Sequence, residues 1–361
     1  MIIKETSQDI KKTGLVLPLK KNIFQIKINK SIEIVVVHNP CARGSHQENV
    51  GIVINEKDIL AILSKRYANV SITKINNKFD LDKLLIRKPD LVFSGVKYFN
   101  FNNKKVWLND CLDAHGIPYI ASSRVALLNE SDKNLAKKLV LKAKIKSADF
   151  FITNPEDHQN ESSMPISFPL FVKPITGGDS RGVDSSSIVF DFLSFKKKVL
   201  EIKTQHNLAS LVETYLPGKE YSVGIFEDSI KGTLQAMPIE IIVKKNINGH
   251  RILDFDAKKN DEEKVIAVKD KQLFKKLSIL AKKAFKALGG KSLGRIDIKM
   301  NDLGVPHFME ANFMPGLRKG YFYRSCVLNL GMNYEDMIFN ITNTGLSSNE
   351  FSKFNIRKKI V

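Results

Sequence analysis

Residues 293–316 read LGRIDIKMNDLGVPHFMEANFMPG, and this stretch decides the fold. Arg295 and Asp297 lie two apart in an apolar run, so their side chains point to the same side of a strand. An NDLG turn signal follows, and a second apolar run leads to Glu310 and Asn312, which again share one side. The stretch therefore predicts a hairpin that brings a cation, two carboxylates and an amide onto one face.

These four side chains indicate a magnesium–phosphate site. Oxygen ligands such as Asp297, Glu310 and Asn312 are those that Mg²⁺, or Mn²⁺ in its place, binds together with phosphates. Arg295 is then placed to stabilise charge on a phosphoryl group. The alternative is a surface hairpin with solvated acids, which an isolated pair of carboxylates would favour. The ordered set of Arg, Asp, Glu and Asn, followed by Pro-Gly, argues against that alternative.

The same residues resemble the last metal-binding block of the ATP-grasp ligases, most closely the D-alanine–D-alanine ligase group. Members show R-x-D and then E-x-N-x-x-P-G, and Arg295, Asp297, Glu310 and Asn312 match that pattern. The resemblance extends over roughly residues 32–340. It implies an α/β (α+β) fold of the ATP-grasp type, with an N-terminal parallel-sheet domain and a two-lobed ATP-binding module of antiparallel sheets.

The N-terminal third alternates strand and helix patterns, as expected for a parallel sheet covered by helices on both faces. Residues 32–37 form a β-branched apolar run typical of a buried strand. Helices are predicted around residues 57–67 and 106–115, and a long amphipathic helix over 271–288. The predicted divisions are a basic leader 1–30, an N-terminal domain 31–125, a central lobe 126–216, a catalytic lobe 217–345 and a basic tail 346–361.

A lysine beside a glycine-rich loop is the first candidate for binding ATP. Lys173 ends an apolar strand, and the loop after it can bring backbone N–H groups close to phosphate oxygens. Alone, this pattern would favour an ordinary hairpin loop. In the ligases it is V-K-P followed by G-S-S-x-G, so the resemblance implies nucleotide binding at Lys173 and Gly178 and a catalytic role for Ser180. Asp179 replaces the first Ser of that pattern.

Further nucleotide residues are implied by the resemblance alone. Lys133 matches the lysine of an M-D-K helix start, although a capped helix with an exposed lysine explains it equally well. Glu213 and Glu220 match an adenosine-binding E-x-x-x-x-G-x-E block, in which the second acid binds the ribose and Leu216 packs on adenine. Lys258 matches a catalytic lysine of a mobile loop that closes over ATP.

The segments that read the substrate depart from the family pattern. The Glu of the first-strand motif is present as Glu48 but is out of frame by one residue. The Thr and Ser that normally follow Pro-Gly are replaced by a segment that contains Arg318, Tyr321 and Arg324. The two Arg, one Lys and two Tyr of this segment could bind a larger anionic substrate. The alternative is a loop that packs its aromatic residues and solvates its cations.

Together these blocks imply an ATP-dependent carboxylate–amine ligase that forms a peptide or amide bond through an acyl phosphate. ATP and Mg²⁺ (or Mn²⁺) are the expected cofactors, and a small-molecule carboxylate and amine are the expected partners. The altered substrate segments favour a product other than D-alanyl-D-alanine. The alternatives are an ATP-grasp phosphotransferase and a basic nucleic-acid-binding or interaction protein on a decayed ligase fold.

The composition of the chain argues against several other classes of protein. The 57 basic and 38 acidic residues give a net charge of +19, but the lysines are spread along the chain and are not interleaved with aromatic residues. Nucleic acid is therefore not the expected partner. The sequence shows no signal-peptide pattern and no membrane-length apolar run, and its three cysteines make no disulfide framework. A cytoplasmic protein is predicted, and a homodimer is compatible with the resemblance.

Overall fold

The computed structural model describes residues 27–37, 54–177, 182–228, 233–244, 249, 263–317 and 320–358, with side chains described as far as residue 347. The strands are β1 (Ile28–Val37), β2 (Tyr67–Ile75), β3 (Leu91–Ser94), β4 (Tyr98–Phe101), β5 (Lys104–Trp107), β6 (Phe150–Thr153), β7 (Leu170–Pro174), β8 (Ile188–Val189), β9 (Ser210–Thr214), β10 (Glu220–Glu227), β11 (Leu234–Ile242), β12 (Lys264–Ala267), β13 (Leu293–Met300) and β14 (Pro306–Asn312). The helices are α1 (Glu56–Leu63), α2 (Lys78–Arg87), α3 (Leu108–Ala114), α4 (Arg124–Ser131), α5 (Lys133–Lys142), α6 (Phe192–His206), α7 (Lys271–Ala287), α8 (Tyr321–Leu330) and α9 (Tyr334–Lys358).

The N-terminal sheet is parallel, with strand order β2-β1-β3. Alternate residues of β1 face opposite sides because side chains alternate along a strand. Val35 packs with Leu84 of α2 and Leu112 of α3, whereas Ile34 packs with Ile338 of α9 on the other side. The predicted parallel sheet with helices on both faces is confirmed.

Two predicted helices differ from the structure. The segment predicted as helical over residues 106–115 begins as β5, which pairs antiparallel with β4, and only α3 is helical. The helix predicted around 57–67 ends at Leu63, and Tyr67 opens β2 as a buried strand residue. In both places the residues pair as strands instead of continuing a helix. The four-residue strands β4 and β5 are also too short to display a period of two in the sequence.

The remaining strands form two antiparallel sheets. One has the order β6-β9-β7-β8 and packs against α6, and the other has the order β12-β11-β10-β13-β14 and packs against α7. Asp270 caps the N-terminus of α7, because its carboxylate accepts the N–H groups of Gln272 and Leu273. The helix buries Phe285 beneath the β13–β14 hairpin. Burying that ring contributes about 2–3 kcal/mol. The predicted long amphipathic helix is confirmed.

The architecture is a mixed α/β fold with one parallel and two larger antiparallel sheets, as the sequence predicted. The predicted domain boundaries at residues 30, 125, 216 and 345 stay predictions. Within the described residues, no helix has both the length and the apolar character that a membrane span requires.

Candidate active site

The β13–β14 hairpin places the predicted catalytic residues opposite one another. Arg295 pairs with Asn312 and Asp297 pairs with Glu310 in the antiparallel register, and a bulge follows Asp297. The turn between the strands is stabilised by Asn301, whose side-chain oxygen accepts the N–H groups of residues 303 and 305 at 3.1 and 2.8 Å. The four side chains therefore share one face, because directly paired residues of a sheet point the same way.

Arg295 and Asp297 form a buried two-point ion pair. Arg295 Nε donates to Asp297 Oδ1 at 3.0 Å and Nη2 donates to Oδ2 at 2.8 Å. Ser222, the β10 residue paired with Asp297, also donates to Oδ1, at 2.6 Å. Burial alone lowers the pKa of Arg295, but the Asp297 carboxylate more than offsets it, so the pKa is raised and the guanidinium stays charged.

The oxygen atoms of this face fit a divalent metal ion of the magnesium type. Asp297 and Glu310 supply two facing carboxylates and Asn312 supplies an amide oxygen, which are hard ligands. Among the described residues no group of three His, Cys, Asp or Glu side chains could hold a metal. A third protein oxygen on this face would have to come from the Asn312 amide. A cation at Asp297 would take over an oxygen that now accepts from Arg295 or Ser222.

A buried carboxylate between two lysines lies beside the hairpin. Glu213 at the end of β9 binds Lys173 of β7 at 2.6 Å through one oxygen and Lys137 of α5 through the other. All three side chains are at least nine-tenths buried. Lys137 also donates to Ser147 Oγ at 2.7 Å. Glu213 thus holds both ammonium groups in place instead of presenting a free carboxylate.

The charges of this triad are strongly coupled to their surroundings. Burial alone raises the pKa of Glu213, but Lys137 and Lys173 lower it to about 2. Burial likewise lowers the pKa of Lys173, and Glu213 together with Glu310 of the hairpin more than offsets that effect, so it is raised. The charges of the triad and of the hairpin carboxylate Glu310 therefore influence one another.

Lys137 is the functional candidate that the motifs missed. It lies four residues after Lys133 on α5, so both lysines lie on one side of that helix. The spacing was visible in the sequence, but the partner that buries Lys137 lies far along the chain. Asp132 caps the helix, and the Lys133 ammonium donates to Gly177 O at 3.0 Å, at the start of the glycine-rich loop.

The other predicted nucleotide residues lie along β9 and β10. Glu220 binds Lys299, its cross-strand partner on β13, at 3.0 Å. Leu216 is half-buried in the connection between the two strands. The N–H groups of Thr214 and Tyr215 bond to backbone carbonyls, so Leu216 is the next residue along the chain that could offer a backbone donor to a ligand.

The segment after Pro-Gly packs against the hairpin. Tyr321 opens α8 and is nine-tenths buried, and its ring centroid lies 5.5 Å from the Arg295 guanidinium. Arg324, one turn further on, donates to Glu263 at 3.2 Å. Burial and the Glu263 carboxylate raise the pKa of Tyr321. Sequence reasoning missed Glu263, which neutralises part of the positive charge of this segment.

Five predicted site residues lie outside the described residues and stay predictions. They are Glu48, Gly178, Ser180, Lys258 and Arg318. Of the others, the structure brings together Lys173 with Glu213, and Arg295 with Asp297, Glu310 and Asn312. Tyr321 contacts Arg295 through its ring. Arg324 follows on the same helix and binds Glu263.

Comparison with known proteins defines the class. A family model described as "D-ala D-ala ligase C-terminus" matches residues 139–343. The chain is 31% identical to a D-alanine–D-alanine ligase of Aquifex aeolicus (strain VF5) over 274 residues, which cover 72% of this chain and 86% of the relative. It is 26% identical to a D-alanine–D-alanine ligase of Bacillus anthracis (strain CDC 684 / NRRL 3495) over 308 residues, covering 84% and 94%.

Solved structures show the same fold. The crystal structure of a D-alanine–D-alanine ligase from Bacillus anthracis complexed with ATP has a TM-score of 0.64 at 19% identity and covers 90% of this chain and 100% of that one. The VanG D-Ala:D-Ser ligase from Enterococcus faecalis has a TM-score of 0.61 at 18% identity, covering 89% and 100%. The fold and the family match define the class as the ATP-grasp ligases, enzymes that form carbon–nitrogen bonds. The chain belongs to the D-alanine–D-alanine ligase family.

Proposed function

We propose that this ATP-dependent ligase joins a carboxylate to an amine through an acyl phosphate, and that at least one of its substrates differs from D-alanine. The register of the β13–β14 hairpin carries the proposal, because it places Arg295, Asp297, Glu310 and Asn312 on one face beside the Lys173–Glu213–Lys137 triad. Such a face needs no covalent enzyme intermediate, since positioning and charge neutralisation suffice for phosphoryl transfer.

The reaction has two steps. The substrate carboxylate attacks the γ-phosphorus of ATP, which forms the acyl phosphate and releases ADP. The amine then attacks the carbonyl carbon, inorganic phosphate leaves, and the nitrogen loses a proton. Mg²⁺ (or Mn²⁺) held by Asp297, Glu310 and Asn312 would neutralise charge on the phosphates. Arg295 stabilises the transferring phosphoryl group or the tetrahedral oxyanion.

Binding of ATP falls to the residues around the triad. Lys173, Lys133 and Lys258 offer positive charge to the phosphates. Gly178 and Ser180 belong to the glycine-rich loop, whose backbone N–H groups can approach the phosphate oxygens. Leu216 packs on adenine, and Glu220 accepts hydrogen bonds from the ribose hydroxyl groups with charge assistance. Glu213 acts indirectly, since its two oxygens already bind lysines.

The substrate proposal rests on the segment after Pro-Gly. A bulky Tyr321 stands 5.5 Å from Arg295, and Arg324 lies one turn further on α8. Together with Arg318, these residues favour an amino acid derivative, a peptide or another metabolite that carries an additional anionic group. Glu48 is a separate substrate-binding candidate. Small-molecule substrates, a homodimer and a cytoplasmic location complete the proposal.

A phosphate-release screen over carboxylates and amines with Mg-ATP tests this function, with Glu310→Gln as the isosteric control. One pair should release phosphate in the native enzyme and not in the variant, and mass spectrometry should find the amide. D-alanine is included on both sides of the screen. No release above Glu310→Gln would reject the ligase. Repeated turnover to ADP without an amine, with a phosphorylated acceptor and no amide as product, would indicate a phosphotransferase. D-alanine as the best pair would reject the substrate proposal.

A further inference from the structure

A second buried ion pair ends on the catalytic hairpin. Glu130 of α4 accepts a hydrogen bond from Lys97 at 2.9 Å through one carboxylate oxygen and the backbone N–H of Phe313 through the other. The Glu130 and Lys97 side chains are 5% and 20% exposed. Lys97 lies in the short connection between β3 and β4.

Phe313 is the residue that follows Asn312, a proposed metal ligand and the cross-strand partner of Arg295. The Phe313 ring is fully buried and meets Phe285 edge-on at 5.3 Å. Gly294, the neighbour of Arg295, leaves room for this ring, because a Cβ there would lie 2.9 Å from it. The core therefore holds the Phe313 side chain, and Glu130 holds its N–H.

Glu130 lies in the electrostatic field of the hairpin. Burial raises the pKa of Glu130, and Lys97, the Phe313 N–H and Arg295 act in the opposite direction. A buried ion pair is rarely more stabilising than apolar side chains of the same size, so stability alone does not account for this one. What an apolar pair could not supply is an acceptor for the Phe313 N–H.

We propose that Glu130 is a positioning residue of the metal site, which fixes Asn312 by holding the next peptide N–H, and that Lys97 neutralises the buried Glu130 carboxylate. The pair thereby links the loop after β3 to the end of the catalytic hairpin. This inference rests on the proposed function, since it requires a metal ion at Asp297, Glu310 and Asn312.

Two double variants separate positioning from folding. Lys97→Met with Glu130→Gln keeps an acceptor oxygen for the Phe313 N–H, whereas Lys97→Met with Glu130→Leu removes it, and neither leaves a buried charge unpaired. We expect Mn²⁺ to bind the first variant as it binds the native enzyme in the presence of ADP. The second variant should bind Mn²⁺ about tenfold more weakly, the lower end for residues that orient metal ligands.

The measurement is a Mn²⁺ titration by electron paramagnetic resonance in saturating ADP, with ADP binding in EDTA and urea unfolding measured alongside. Glu33→Gln is the matched control, because Glu33 is a buried carboxylate bound to Arg87 in the N-terminal sheet, far along the chain from the hairpin. It should lose stability and keep its Mn²⁺ affinity. Equal Mn²⁺ binding by the two double variants would overturn the inference and leave the proposed function standing. A native enzyme that binds no Mn²⁺ with ADP would overturn both.

Discussion

The proposed nucleotide site around Lys173 and Glu213 and the proposed substrate site around Tyr321 and Arg324, called below the nucleotide end and the substrate end, neutralise their charges in different ways. At the nucleotide end, Lys173 and Glu213 lie on adjacent strands whose register fixes their contact, and both are motif residues. At the substrate end, Arg324 is neutralised by Glu263, which belongs to no recognised motif and precedes β12. At the first site, motif residues supply both the charge and its partner. At the second, Arg324 belongs to the segment that replaces the family motif, and its partner lies outside every motif as well.

The largest expected effect falls on the hairpin. Arg295→Lys keeps a positive charge but loses the two-point contact with Asp297, at 3.0 and 2.8 Å. We expect kcat to fall about 100- to 1000-fold, as for other donors to developing charge, with little change in the KM for ATP. Steady-state ADP formation with the best substrate pair measures both constants.

Lys283→Ala on the exposed side of α7 is the control for that variant and should behave as the native enzyme. A near-native kcat in Arg295→Lys would show that the planar fork is unnecessary and that a point charge suffices. The contribution of Arg295 to catalysis would then depend on its charge alone.

The next effect is on stability. Glu213→Gln leaves Lys137 and Lys173 buried beside a neutral amide, and the fall of the Glu213 pKa from its usual 4.5 to about 2 corresponds to about 3 kcal/mol. We expect the free energy of unfolding in urea at pH 7 to drop by about that amount. Glu156→Gln, at an exposed position, should leave it unchanged. Equal stabilities would mean that the triad is not held by charge.

The same carboxylate predicts a pH dependence. The Glu213 pKa is lower in the folded chain than in the unfolded one, so its contribution is fully present above about pH 4.5 and is lost as the pH falls through about 2. The difference in unfolding free energy between the native chain and Glu213→Gln should therefore shrink between pH 5 and pH 2. A difference that stays constant over that range would contradict the low pKa.

How far the sequence predicts this site depends on how each contact is encoded. The hairpin could be predicted because its strands are consecutive, and a two-residue spacing with a turn signal sets the shared face. Lys137 was missed because its partner Glu213 lies 76 residues away, and nothing local marks which lysine of α5 becomes buried. The Lys97–Glu130 pair joins the connection after β3 to helix α4, so no periodicity in the sequence indicates it.

The fold shows the same limit. The buried run of β1 is continuous and β-branched, and α7 has a strong helical period, so both were predicted. The β4–β5 hairpin was not, since each strand has four residues and its pairing of Phe99 with Val106 is decided by packing on the N-terminal core. Short strands are defined by their neighbours more than by their own sequence.

The smallest effect tests whether Tyr321 reads the substrate. Its hydroxyl is buried beside Glu263, and no hydrogen bond of normal geometry reaches it from the described residues. Tyr321→Phe should therefore change the free energy of unfolding by no more than about 1 kcal/mol, because the substitution removes no hydrogen bond of normal geometry. If the hydroxyl meets a substrate, the KM for that substrate should rise about fivefold, the value of one hydrogen bond, while the KM for ATP stays constant.

Tyr67→Phe is the matched control, since the Tyr67 hydroxyl bonds to Asn343 at 2.8 Å in the N-terminal core, and its loss should lower stability without changing either KM. Unchanged substrate KM values in Tyr321→Phe would leave Arg318 and Arg324 as the readers of the substrate.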